Sequence, residues 1–149
     1  MVQTSSPIKV EESKYKDLYE KKVVFDFGTF YIFKEYVIGE ISHGEHFTWD
    51  LAEKVIQRVY KHFGTQDIQV SYISNRIYSY SVQPQDWVHF FKNRHKVNSV
   101  AVVAYNSSGM LSVVLEKLFS LSPMKKFKSL DDAIAWSLKN QVEKISQKD

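Results

Sequence analysis

The sequence predicts an α/β protein with a mixed, mainly parallel sheet, an N-terminal antiparallel hairpin and four helices. Apolar runs of strand length alternate with amphipathic helical stretches, an order that requires parallel strands joined by right-handed crossovers. Residues 100–105 form the most continuously apolar run, which is typical of a central strand buried on both faces. Near the N-terminus two strand-like runs follow each other without a helical stretch between them, which indicates the hairpin.

The first half of the chain is predicted to hold a tail, the hairpin and one helix. Residues 1–20 are assigned to a flexible N-terminal tail and residues 21–146 to a single domain, because the first residues are polar and lack periodicity. The hairpin strands lie in residues 23–33 and 36–41. Thr48 is a suitable N-cap for the helix that follows, and Gly64 is a natural C-terminal stop.

The second half is predicted to continue with alternating strands and helices. The strand at residues 68–74 is followed by a segment that is either a short edge strand or an ordered loop, and Pro84 suits the first position of the second helix. The apolar run at 100–105 precedes a polar turn and the third helix. A short strand at 124–128 leads to the last helix, on which Trp136 lies off the apolar stripe and must pack sideways against another element.

The composition is that of a soluble globular domain. The chain has 149 residues, of which 44% are hydrophobic and 25% charged, and no apolar run approaches the length of a membrane span. It has no cysteine, which excludes disulfides and cysteine-ligated metals. The net charge is only +3, and the Lys and Arg residues are interspersed with acidic residues, so nucleic acid is not an expected partner. The N-terminus lacks the features of a signal peptide, so a cytoplasmic location is expected.

The main candidate site follows the strand at residues 68–74, where parallel-sheet proteins bind ligands at the carboxyl ends of their strands. Its members are Asn75, Arg76, Tyr78, Ser79 and Ser81. The Arg76 guanidinium could clamp a carboxylate or phosphate by two parallel hydrogen bonds, and the hydroxyl side chains could line a pocket or a protein interface. In the alternative interpretation these side chains satisfy loop backbone, and Arg76 forms an ion pair.

A second candidate site is the turn after the apolar run at 100–105. Asn106, Ser107 and Ser108 precede the expected third helix, where backbone N–H groups and the helix dipole favour a bound anion or a phosphorylated hydroxyl. Ordinary helix capping accounts for the same composition.

Metal and catalytic motifs give little support for an enzyme. His43 and His46 flank Glu45, but a zinc site needs a further ligand, so neither a metal nor a cofactor is expected. Neither a Ser–His–acid arrangement nor a glycine-rich phosphate loop is recognisable. An enzyme would need Glu40 or Glu45 to meet His43 in one cleft.

Three segments together resemble a known family. They are residues 37–41 leading to the helix opened by Thr48, residues 100–103, and Phe127 followed by residues 129–136. The last segment is similar to the closing strand and "acid-Ala-x-x-Trp" helix of the STAS domains of bacterial anti-sigma-factor antagonists. The resemblance is closest to their SpoIIAA-like relatives, which share a fold with part of the Sec14 lipid-binding domain, and it extends over about residues 23–138.

The family's phosphorylation motif is not matched. Phosphorylatable STAS domains carry a Ser or Thr at the start of the second helix, usually in Asp-Ser-Ser-Gly. The corresponding residues 75–81 depart from that pattern. The similar tetrapeptide at 106–109 begins with Asn instead of Asp and follows one strand–helix unit later.

The resemblance implies a non-catalytic regulatory or interaction module. Its expected partner is a protein, and a small anionic ligand at the strand ends stays open. The alternative is a Sec14-like protein that binds a lipid or another apolar small molecule, which would need an enclosed apolar cavity beneath the hairpin. Exposed aromatic side chains are also compatible with a homodimer.

Overall fold

The computed structural model describes residues 6–82, 97–105 and 123–147, with side chains up to residue 140. A 3-10 turn at Val10–Glu12 precedes the sheet. The elements that follow are β1 (Lys21–Phe25), β2 (Gly28–Ile32), β3 (Tyr36–Ile41), β4 (His46–Phe47), α1 (Trp49–Phe63), β5 (Ser71–Arg76), β6 (Ser81–Val82), β7 (Val100–Ala104), β8 (Met124–Phe127) and α2 (Leu130–Gln147).

The main sheet has six strands in the order β1-β2-β3-β5-β7-β8. Strands β1, β2 and β3 pair antiparallel, whereas the pairs β3–β5, β5–β7 and β7–β8 are parallel. Strands β4 and β6 form a separate two-stranded parallel sheet. This mixed architecture is consistent with the α/β class.

The prediction of four helices is wrong, because the part of the chain that the structure describes contains two α-helices, α1 and α2. A side-chain capping hydrogen bond is present at the start of α2, whereas the Thr48 side chain makes none at the start of α1. Helix α1 follows Thr48 and ends at Gly64, which adopts the left-handed conformation with φ of 74°. The Oγ of Ser129 accepts the Asp132 backbone N–H at 3.2 Å at the start of α2. The predicted second and third helices fall within residues 83–96 and 106–122, outside the described residues.

The predicted N-terminal hairpin is a three-stranded antiparallel unit, because a turn at residues 26–27 divides its first strand into β1 and β2. Gly28, the first residue of β2, permits a close approach of β2 to β3. A Cβ atom at position 28 would lie 2.7 Å from the Glu40 carbonyl oxygen on β3, nearer than a side chain tolerates. The glycine therefore marks the beginning of a strand rather than a bend within one.

The sheet is covered on both faces. Val55 and Val59 of α1 pack against one face, in a cluster that includes Phe30 and Val37. Leu130, Ala133 and Ile134 of α2 pack against the other face, together with Val10, Ile38, Ile73 and Val103. Strand β7 is buried at every position, which confirms the prediction of a strand buried on both faces, although it is the fifth of the six strands and not at the centre of the sheet. Neither of the two described helices has the length and apolar character needed to cross a membrane.

Residues 10–19, which the sequence assigns to a flexible tail, make tertiary contacts with the α2 side of the sheet. Val10 is fully buried, and the ring centroids of Tyr19 and Tyr31 are 5.0 Å apart. The Tyr15 hydroxyl donates a hydrogen bond to Asp131 at the start of α2. Apolar and aromatic side chains therefore hold this segment although it lacks helical or strand periodicity.

The structure confirms the prediction that Trp136 packs sideways against another element. Its ring centroid lies 5.5 Å from that of Phe127 on β8. The contact joins the last strand to the last helix, which is the pair of elements that carries the most specific part of the sequence resemblance.

Candidate functional site

Three polar side chains converge where β3, β5 and β7 end. Glu40 lies two residues beyond Ile38, and Asn75 lies two residues beyond Ile73, which is the register partner of Ile38. Tyr105 lies two residues beyond Val103, which is the register partner of Asn75. Side chains two residues apart on a strand share one face, so all three lie on the face that α2 and the N-terminal residues cover.

Asn75 is the centre of this group. Its Nδ2 donates hydrogen bonds to Glu40 Oε2 and to the Ile8 carbonyl oxygen, both at 2.9 Å. The Tyr105 hydroxyl donates to Asn75 Oδ1 at 2.8 Å. Both N–H groups and the oxygen of the buried amide are therefore satisfied, as a polar group in a protein interior requires.

The same polar groups hold residues 8–10, which we call the N-terminal clip. The Val10 backbone N–H donates to Glu40 Oε2 at 2.8 Å, and the Ile8 carbonyl accepts from Asn75. The Val10 side chain has no exposed surface. The chain thus recognises a short segment of its own backbone through one donor, one acceptor and one buried apolar side chain.

The electrostatics of the group follow from its burial. Burial raises the pKa of Glu40, and the hydrogen bonds from the Val10 N–H and the Asn75 amide oppose this rise without cancelling it. Burial also raises the pKa of Tyr105, so its hydroxyl keeps the proton that it donates to Asn75. This arrangement suits the binding of neutral peptide groups.

Arg76 lies on the opposite face of β5 from Asn75. Its Nη2 donates a hydrogen bond to the Tyr80 carbonyl oxygen at 2.9 Å, and its guanidinium carbon lies 4.1 Å from the centre of the Tyr80 ring. The Tyr80 hydroxyl is in turn 2.7 Å from Ser74 Oγ. Both of these Arg76 contacts are thus with a tyrosine four residues later, whereas the sequence analysis expected an anion or an ion pair.

The remaining members of the main candidate site lie in an exposed outer layer. Tyr78 is 38% exposed, and the Lys9 ammonium group lies 5.6 Å from the centre of its ring. Ser79 is exposed, and its carbonyl accepts the Gly44 N–H at 2.8 Å. The Ser81 hydroxyl is exposed and lies 2.7 Å from His46 Nδ1. We call Lys9, Tyr78, Ser79 and Ser81 the strand-end surface.

The predicted site is therefore divided among three environments rather than gathered in one pocket. Asn75 is buried beneath the clip, and Arg76 stacks on Tyr80 at the opposite face of the sheet. Tyr78, Ser79 and Ser81 are exposed. The second candidate site, comprising Asn106, Ser107 and Ser108, lies outside the described residues.

Sequence reasoning did not find the roles of Glu40, Tyr105 and Val10. Glu40 did carry a signal, because a charged residue within a strand that is otherwise apolar is rarely buried without a partner. Val10 carried no such signal, because it lies in a stretch that is otherwise mostly polar and lacks periodicity.

Two of the groups that an acid–base reaction would require, Glu40 and His43, lie in different environments. Glu40 is buried and bonded to Val10 and Asn75, while His43 lies in an exposed loop. Among the described residues there is no cluster of three or more His, Asp or Glu side chains that could hold a metal ion.

No protein-family model matches the chain, and no match is found among curated proteins or solved structures.

Proposed function

We propose that the chain is a non-catalytic, STAS-like regulatory or interaction module that binds a protein partner through the strand-end surface. The observation that carries this proposal is the N-terminal clip. Glu40 and Asn75, from neighbouring strand ends, bind the backbone of Ile8 and Val10, and Tyr105 holds the Asn75 amide in place. Recognition of backbone N–H and C=O groups is the chemistry of peptide binding rather than of a reaction.

The clip and the strand-end surface are physically joined. Lys9 lies between the two clip residues whose backbone is bound, and its ammonium group contacts the exposed Tyr78 ring. A partner that covers Tyr78 would therefore also contact the clip. The exposed Tyr78 ring supplies an aromatic anchor, and tyrosine is enriched in protein interfaces and among their hot spots.

A small anionic ligand forms the second part of this proposal. Lys9 and Arg76 contact Tyr78 and Tyr80 respectively, so both cations lie close to the loop that joins β5 to β6. A carboxylate or phosphate group of the partner would bind Arg76 by replacing its hydrogen bond to the Tyr80 carbonyl.

The Sec14-like alternative receives less support. Among the described residues, the space beneath the first antiparallel strands is filled by phenylalanine rings. The ring centroids of Phe25 and Phe27 are 4.8 Å apart, and that of Phe47 lies 5.9 Å from Phe27 and 6.3 Å from Phe30. These are distances of direct aromatic packing and not of the walls of a cavity.

The test is site-specific photo-crosslinking of the full-length chain in cells. A crosslinking amino acid at position 78 should capture a discrete protein partner. The same amino acid at position 18 serves as the control, because Leu18 is 65% exposed and lies outside the strand-end surface.

The captured partner is then purified and titrated against the Tyr78→Ala variant. We expect about tenfold weaker binding, since exposed aromatic anchors typically contribute energies of that order. Identical adducts from positions 78 and 18, or unchanged affinity of the Tyr78→Ala variant, would show that this surface is not the interface.

A further inference from the structure

A second surface, distinct from the strand-end surface, lies between strand β1 and helix α1. It is a groove with a volume of about 270 Å³, lined by Lys21, Val23, Arg58, Lys61 and His62. We call it the basic groove. Lys21 and Val23 alternate along β1 and so share one face, while the three helical residues are spaced three and four positions apart and so share one stripe.

The groove runs beside an edge of the sheet. Strand β1 is the terminal strand of the six-stranded sheet, and within the described residues it pairs only with β2. An edge strand presents backbone N–H and C=O groups to which another extended segment can add. The groove therefore combines a row of cations with a backbone template.

The chain itself shows that a carboxylate can reach the groove. Glu20 Oε1 lies 2.9 Å from His62 Nε2. Lys21, Arg58 and Lys61 add three cationic groups to the same lining. A partner that bears several carboxylates is complementary in charge to this surface.

We propose that the basic groove and the β1 edge form a docking site for an acidic peptide segment in extended conformation. The segment adds as a strand beside β1, and its alternate side chains place carboxylates on Lys21, Arg58 and Lys61. This inference does not depend on the function proposed for the strand-end surface.

Two simpler explanations account for only part of the surface. Lysines on edge strands often serve to prevent aggregation, which would explain Lys21 but not the two cations that α1 contributes. A nucleic acid would satisfy the charges, but its backbone has no alternating N–H and C=O groups to pair with an edge strand.

The opposite edge of the sheet supplies a matched control. Strand β8 is the other terminal strand, and it also carries two lysines, Lys125 and Lys126. The lining of the basic groove includes residues of β1 and none of β8. A charge effect common to any lysine-bearing edge should therefore appear equally at both.

The test measures binding of a short fluorescent peptide of alternating Glu and Val to the full-length chain by fluorescence anisotropy. Combined Lys21→Glu and Lys61→Glu substitutions should weaken binding by about tenfold or more, because two attractive contacts become repulsive. Combined Lys125→Glu and Lys126→Glu substitutions should change it by less than about twofold. Arg58→Gln provides a milder variant, and circular dichroism checks that each variant is folded.

Strand addition is tested separately from charge. A peptide of alternating Glu and Pro keeps the carboxylates but lacks half of the backbone N–H groups, so it should bind much more weakly. The Glu–Val peptide should shift the backbone amide NMR signals of residues 21–25.

Three results would overturn the proposal. The first is the absence of binding by the Glu–Val peptide, and the second is an equal loss in the groove and control variants. The third is equal or tighter binding of the Glu–Pro peptide or of a DNA oligonucleotide, which would indicate a simple polyanion site.

Discussion

Asn75 and Arg76 are adjacent in the chain, but they belong to two different parts of the molecule. Asn75 is 1% exposed and bonds to Glu40, Tyr105 and the N-terminal clip. Arg76 is partly exposed and contacts Tyr80 on the other face of the sheet. The alternation of side chains along a strand assigns one residue to a buried amide network and the next to a cation–aromatic contact.

The difference between the two shows where each kind of interaction contributes to stability. The buried amide replaces water with three fixed partners, so the loss of one group leaves others unsatisfied. The partly exposed guanidinium can recover water when its partner is removed. We therefore expect stability to depend strongly on the Asn75 side of the sheet and weakly on the Arg76 side.

The largest expected effect is that of Asn75→Ala. This change removes two donors and one acceptor from the buried network and should lower the free energy of unfolding by about 3 kcal/mol. Urea denaturation measures it. Ser79→Ala, at an exposed position in the following loop, is the control and should change stability by less than about 0.5 kcal/mol. An Arg76→Ala variant that loses more stability than Asn75→Ala would reverse the comparison.

Val10→Ala tests the clip from its apolar side. Val10 is fully buried, so the change leaves a small cavity and should lower the free energy of unfolding by about 2 kcal/mol. In this variant the backbone amide proton of residue 10, which is bonded to Glu40, should also exchange faster with solvent than in the wild type. Ile8→Ala is the matched control, because Ile8 contributes its carbonyl to the clip while its side chain is 45% exposed. Equal losses in both variants would argue against specific packing of Val10.

A smaller effect is expected on the opposite face. A double-mutant cycle with Arg76→Ala and Tyr80→Leu should give a coupling energy of about 1 kcal/mol, since the guanidinium stacks on the tyrosine ring. A parallel cycle that combines Arg76→Ala with Glu40→Gln should give a coupling near zero, because the two residues lie on different faces. A large coupling in the second cycle would show that the two faces communicate.

The smallest effect at any single pH is expected for Glu40→Gln, because the amide keeps the shape of the carboxyl group. Burial raises the pKa of Glu40 above its ordinary value of 4.5, so the folded protein binds this proton more tightly than the unfolded chain does. The contribution of Glu40 to stability is therefore fully present below the unfolded pKa and is lost as the pH rises through the folded pKa.

We therefore expect Glu40→Gln to gain stability relative to the wild type as the pH rises from about 4 to about 7. Urea denaturation of both proteins at several pH values gives the difference. A constant difference, or a slope of opposite sign, would show that burial does not dominate the titration of Glu40.

The parts of the fold that sequence could predict are those set by local chemistry. The apolar run at residues 100–105 predicts the fully buried strand β7, and Gly64 predicts the end of α1. The position of Trp136 off its helix stripe predicted a sideways contact, which the Phe127 ring provides. Each of these signals depends on a few neighbouring residues, so a single sequence is sufficient to read it.

The candidate site could be predicted only in part, because its contacts join distant residues. Ile8 is 67 positions from Asn75, and no local sequence pattern predicts the hydrogen bond between them. The predicted strand ended at residue 74, whereas β5 continues to Arg76. That difference of two residues conceals the alternation that separates Asn75 from Arg76, so the sequence predicts both residues in one site.

The N-terminal contacts also govern the order in which the chain can fold during synthesis. Residues 8–15 leave the ribosome early, but Tyr15 binds Asp131, which is 116 positions later. At ordinary rates of translation that separation corresponds to a delay of roughly 5 to 25 s. Until then Leu130, Ala133 and Ile134, which belong to the same core cluster as Val10, have not been synthesised. The N-terminal clip is thus synthesised well before the helix α2 that packs on the same side of the sheet.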